Sequence, residues 1–156
     1  MNFQRFYHIF RIQGSSKLLY NLSYFQAINS KRSEAIKNLK KVLKENPSFF
    51  ECRHNLALLL ISSRKLEERW EGVRELWKAV ELNPENEVSF LVFSYNVAKL
   101  NIRAWAFKKV NQLLGKAINE KIALNLAFFY EINQEALLFK KFLNIFLEKI
   151  VSSEVQ

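Results

Sequence analysis

Apolar and polar positions follow one another along this chain with the three- and four-residue spacing of amphipathic helices, and nowhere with the strict alternation of a strand. The clearest stretches are SEAIKNLKKVLKENP and EGVRELWKAVELNP, each a helix pattern that ends on an Asn-Pro pair. Proline stops a helix because it lacks an N–H and its ring clashes with the preceding turn. The pattern predicts helices over 3–12, 17–29, 33–45, 50–62, 67–82, 87–100, 103–117, 121–131 and 135–150, joined by short loops with few Gly or Pro residues. An all-α fold with neither a linker nor a domain boundary follows from this reading.

The two Asn-Pro pairs, Asn46-Pro47 and Asn83-Pro84, stand 37 residues apart. Aligned on the prolines, the chain shows small residues at Ser23 and Ala35 followed by Leu39 and Val42. The next period has Ala57, Gly72, Leu76 and Ala79, with three extra residues near Glu67–Arg69. A third carries Ser94, Ala106, Val110 and Leu113, with Ile118 in place of the proline. A fourth begins near Lys121, where Asn125-Leu126-Ala127 echoes Asn55-Leu56-Ala57, and departs from the pattern at Lys140.

In these residues the chain resembles the tetratricopeptide repeat family, whose unit is about 34 residues of helix–turn–helix. The resemblance covers about residues 16–150 and implies a right-handed superhelix (an α-solenoid) of three to four antiparallel helix pairs. Residues 1–15 then form a basic, aromatic N-terminal segment and residues 151–156 a C-terminal tail. In this family small residues let the paired helices approach closely, and units stack because none buries its apolar face alone.

The resemblance also implies a binding groove on the first helix of each pair. It assigns Tyr20 and Tyr24, then His54, Asn55 and Leu58, then Leu91 and Tyr95 to a partner-facing surface. Family members that grip a chaperone's terminal carboxylate use a clamp of Lys, Arg and Asn here. Only Asn55 fits, and Val88 and Val92 stand where charge is required. An apolar, aromatic groove suits a hydrophobic helix instead. The alternative is that the chain's own N-terminal segment fills it.

Charge adds a partner class. Twenty-four Lys and Arg face fifteen acids, all Glu, for a net charge of +9, a balance that suits a polyanion or an acidic protein. The N-terminal FQRFYHIFR interleaves Arg5 and Arg11 with aromatics, suited to phosphate contact and base stacking. Lys37, Lys40, Lys41 and Lys44 add a basic helix face, and Lys108, Lys109 and Lys116 another. Each lysine set reads equally as an ordinary solvated face. The first 33 residues carry five cations and no acid. They resemble a mitochondrial transit peptide, read here as an uncleaved import signal or as part of a protein made where it is used. Abundant Phe, Asn, Ile and Lys against 3 Gly and 2 Pro point to an AT-rich gene, as in organellar genomes.

Catalytic and metal chemistry find little purchase. Gly14, Gly72 and Gly115 are isolated, so no phosphate loop is present. Cys52 and His54 are too few for a zinc site and read as a buried thiol and a groove-side imidazole; one cysteine permits no internal disulfide. Glu67, Glu68, Glu71 and Glu75 read as a solvated face paired at i,i+4 with interspersed cations. Trp70, Trp77 and Trp105 read as core packing, or else as docking anchors. No stretch reaches the roughly 20 apolar residues of a membrane span. Residues 135–150 carry a wider apolar face than one neighbouring helix needs. Phe142 and Phe146 are expected to anchor a partner there, unless the fourth unit buries both sides.

These observations predict a non-catalytic scaffold without cofactor or small-molecule substrate, holding other proteins and rRNA in a mitochondrial ribosome. The alternatives are a free peptide-binding adaptor or secretion-type chaperone, which could be cytoplasmic, and an accessory subunit of a respiratory complex.

Overall fold

The computed structural model describes residues 3–115 and 117–154, with backbone alone for 3–15 and Glu154. The described residues form eight helices and no strand: α1 Phe3–Ile28, α2 Arg32–Glu45, α3 Phe50–Ile61, α4 Leu66–Leu82, α5 Glu87–Leu100, α6 Arg103–Leu113, α7 Glu120–Ile132 and α8 Ala136–Glu154. Seven of the expected helices appear with ends shifted by a few residues. The two expected at 3–12 and 17–29 are one helix of 26 residues. Gly14-Ser15-Ser16 lowers helix propensity but offers neither a proline nor a stop. α8 likewise runs on beyond residue 150, through most of the expected tail.

Two kinds of turn alternate along the chain. Ser30, Asn101 and Gln134 each adopt positive φ (61°, 54° and 64°). In each case the next N–H reaches back five residues, Lys31 to Gln26, Ile102 to Val97 and Glu135 to Tyr130. The same hydrogen-bonded Schellman stop therefore closes α1, α5 and α7. The other kind follows α2 and α4. There Phe49 N–H donates to the Asn46 carbonyl and Asn86 N–H to the Asn83 carbonyl, around the two prolines. The α3–α4 and α6–α7 connections, 62–65 and 114–119, follow neither form, and the three extra residues of the second period lengthen the start of α4, which has 17 residues against the 14 of α2.

Tertiary contacts group the chain into two compact units, Met1–Glu75 and Leu76–Gln156, the division falling within α4. In the first unit α1 packs on α2 and α2 on α3. Its core joins Leu39, Val42, Leu43, Cys52, Leu56 and Leu60, flanked by Leu19, Tyr20, Ile36, Phe49 and Leu59. α4 comes so close to α3 that a methyl group on Gly72 would stand 2.7 Å from Ile61 Cγ2.

In the second unit α5 packs on α6 and α7, and α7 on α8. Its core is aromatic. Trp77 lies 5.3 Å from Phe93, Phe93 stacks on Phe129 at 5.9 Å, and Tyr130 stacks on Phe142 at 5.4 Å, separations at which rings attract. All the pattern residues aligned above, from Ser23 and Ala35 through Ala57, Gly72, Leu76 and Ala79 to Ser94, Ala106, Val110 and Leu113, are buried.

Candidate interaction surface

In the first unit, Ser23, Tyr24 and Ala27 of α1, Leu39 of α2, and Asn55, Leu58 and Leu59 of α3 enclose a cleft of about 150 Å³. Ser23 turns its hydroxyl onto its own helix, donating to the Leu19 carbonyl at 2.7 Å, so the cleft's α1 wall is apolar. Asn55 donates its amide to the Tyr20 hydroxyl at 2.8 Å. Burial, then the nearby Glu51 carboxylate, hold that phenol above its ordinary pKa. The structure thus brings Tyr20, Tyr24, Asn55 and Leu58 together. Tyr24 and Leu58 remain exposed at 61% and 37%. His54 is half-buried and stacks with Phe50 at 6.1 Å; burial lowers its pKa. Because α1 is one helix, residues 3–15 continue along its axis and do not fold back over the cleft.

In the second unit, Leu91 and Tyr95 project from α5 together with Val88, all three more than half exposed. Their spacing puts them in one row along the helix.

The basic face of α2 is smaller than the sequence suggests. Lys40 pairs with Glu71 at 2.7 Å. Arg32 pairs with Glu68 at 2.7 Å and donates twice to the Leu59 carbonyl, and Arg53 pairs with Glu75. Glu68, Glu71 and Glu75 therefore form an inter-helix stripe on α4 that grips cations of α2 and α3, while Glu67 stays exposed and Lys65 lies 3.7 Å from Glu68 as a local i,i+3 pair. The hydrogen bond from Arg32 holds Glu68 below the usual carboxylate pKa. Lys37, Lys41 and Lys44 remain exposed and take part in none of the ion pairs found among the described residues. Arg5, Arg11 and Lys116 belong to the candidate cations, but their side chains lie outside the described residues.

Sequence reasoning missed Arg53. It is buried to 9% exposure and joins the Pro47 carbonyl to Glu75, so it locks the α2–α3 turn to α4. A charge at an otherwise apolar helix position, flanked by Cys52 and Leu56, was the available signal. It also missed a second apolar row on α1. Leu18, Leu22 and Phe25 are exposed at 71%, 46% and 66% at i, i+4, i+7 spacing.

Phe142 corrects an expectation. It is 1% exposed and stacked on Tyr130, so it belongs to the α7–α8 contact and cannot anchor a partner. Phe146 is half-buried. The exposed apolar residues of α8 are Leu137, Leu147 and Val151, interspersed with Lys140, Asn144 and Glu148. Trp77 is core, 2% exposed, while Trp70 and Trp105 are half-buried.

The Cys52 thiol is fully buried, 3.5 Å from the Leu39 carbonyl, and burial pushes its pKa up to about 12. No group of three or more potential metal ligands occurs among the described residues. No helix there is long and apolar enough to cross a membrane. The surfaces left open among the described residues include an apolar cleft, exposed apolar rows and exposed lysines. No protein-family model matches the chain, and a search of curated proteins finds no match.

Proposed function

We propose that this protein is a non-catalytic interaction subunit of a large assembly, a mitochondrial ribosome, where it contacts both protein and rRNA. The observation that carries the reading is where the charge sits. Residues 1–48, the α1–α2 hairpin with its turns, hold nine Lys and Arg against two Glu, a net of +7 out of the chain's +9. A polyanion attracts such a segment by counterion release, whatever its sequence. The burial of the small and apolar pattern positions supports a stack of tetratricopeptide-like pairs as the scaffold.

The test is sedimentation of the tagged chain from cell extract. Co-migration with a ribosomal particle is expected, with partial release as salt rises and on replacing Arg5 and Arg11 with Gln. A chain that stays at the top of the gradient with one client, or that travels with membrane complexes, overturns the reading. The open cleft at Tyr24, Asn55 and Leu58 favours the second reading, a peptide-binding adaptor, and the one-client outcome would select it.

A further inference from the structure

The outward side of the α1–α2 hairpin combines two rows that neither the cleft nor RNA contact uses together. Leu18, Leu22 and Phe25 of α1 and Lys37, Lys41 and Lys44 of α2 share the spacing i, i+4, i+7, so each forms a line along one helix face. Seam bonds fix the register between them. Ser16 donates to Glu45 at 2.6 Å, and Asn38 and Gln26 are joined at 2.9 Å, which makes the helices antiparallel. Leu18 is thereby level with the Lys44 end and Phe25 with the Lys37 end. Leu22 stands one turn from Gln26, and Lys41 one turn from Glu45, so both rows border the same seam.

Helices packed side by side are about 8–10 Å apart, and the groove above such a pair seats one more helix. Like charge argues against a second copy of this chain, because two hairpins of net +7 would meet. A flat anionic bilayer would press its charge on Glu34 and Glu45, which flank the seam at its two ends through bonds to Gln26 and Ser16. A helix of two to three turns fits between them. RNA would leave Leu18, Leu22 and Phe25 in water.

We propose that the groove between α1 and α2 seats an acidic amphipathic helix of a partner protein, its apolar face on Leu18, Leu22 and Phe25 and its carboxylates on Lys37, Lys41 and Lys44. The proposal rests on the reading of the chain as an assembly subunit. It divides the hairpin's cations, leaving phosphate contact to those outside this row.

The experiment uses fluorescence anisotropy on the full chain with two synthetic helical peptides. One carries leucines at i, i+4, i+7 flanked by glutamates, and the other has lysines in place of the glutamates. The glutamate peptide should bind at least about ten-fold tighter. Leu22→Ser with Phe25→Ser should weaken it about ten-fold. Lys37→Glu, Lys41→Glu and Lys44→Glu together should invert the preference. All five sites are surface positions, and circular dichroism checks the fold of each variant. Equal affinity for both peptides, or glutamate-peptide binding indifferent to the serine pair, overturns the proposal. So does binding to phosphatidylcholine–phosphatidylglycerol vesicles through these residues when the peptide is ignored. Binding to an rRNA fragment, measured on the same variants, separates the two readings. RNA bound without peptide preference removes only this proposal, and peptide preference without RNA binding removes only the ribosomal assignment.

Discussion

Consider Gly72→Ala. In a helix interior, alanine is favoured over glycine by about 1 kcal/mol, and an exposed site would gain that amount. At position 72 the added methyl carbon would stand 2.7 Å from Ile61 Cγ2, 2.8 Å from the Ile61 backbone nitrogen and 2.9 Å from Leu60 Cβ. Carbon atoms rest at about 3.5–4.0 Å, so against Leu60 Cβ alone α3 and α4 must part by roughly 0.6 Å or more. Ile61 Cγ2 can rotate away. The backbone nitrogen and Leu60 Cβ cannot, so no rotamer change relieves the clash. Overpacking costs about 1–3 kcal/mol, and subtracting the propensity gain leaves a net loss of up to about 2 kcal/mol. For a chain of this size the melting temperature should fall by up to about 8 °C. Gly115→Ala is the control, since its nearest neighbour would be the Gln112 carbonyl oxygen at 3.9 Å, and it should melt no lower than the parent. Thermal and urea unfolding followed by circular dichroism measure both. A Gly72→Ala protein that melts above the parent, gaining the full helix propensity, refutes the close approach of α3 and α4.

Phe142→Ala should cost about 3–5 kcal/mol by opening a cavity against Tyr130, read as a lower urea midpoint; an unchanged midpoint would return Phe142 to the surface. Burial lowers the His54 pKa, so the unfolded chain takes up this proton first and stability falls as pH drops below about 6.5. His54→Gln should flatten stability between pH 7 and 5, and an unaltered slope would show that another group carries it. Glu68, held low by Arg32, contributes stability above the unfolded carboxylate pKa of about 4.3 and loses it in more acidic solution; urea midpoints of Glu68→Gln should change less across that acid range.

The helices were legible because their signals are local. The Asn-Pro pairs fix two stops, and small residues at Ala35, Gly72 and Ala106 mark positions that are indeed buried. The merging of residues 3–12 with 17–29 was not legible, since Gly14-Ser15-Ser16 weakens a helix by an amount that neighbouring turns easily offset. The fate of α8 was not legible either. A helical wheel measures how wide an apolar face is, but only the aromatic packing of α7 decides that Phe142 lies at its centre. Pairing was the hardest part. Glu68, Glu71 and Glu75 have cations nearby in sequence, yet they bond to Arg32, Lys40 and Arg53, from 22 to 36 residues away. That choice removes Lys40 from the basic face and leaves the three lysines that remain.

The repeated turn at Ser30, Asn101 and Gln134 has a consequence for stability. Left-handed backbone costs an ordinary L-residue roughly 1–2 kcal/mol, and none of the three glycines in the chain is spent there. The two backbone hydrogen bonds that close each stop and the packing of the flanking helices offset that cost, so a glycine placed at Ser30 or Gln134 would relieve a strain that the chain carries at both reversals.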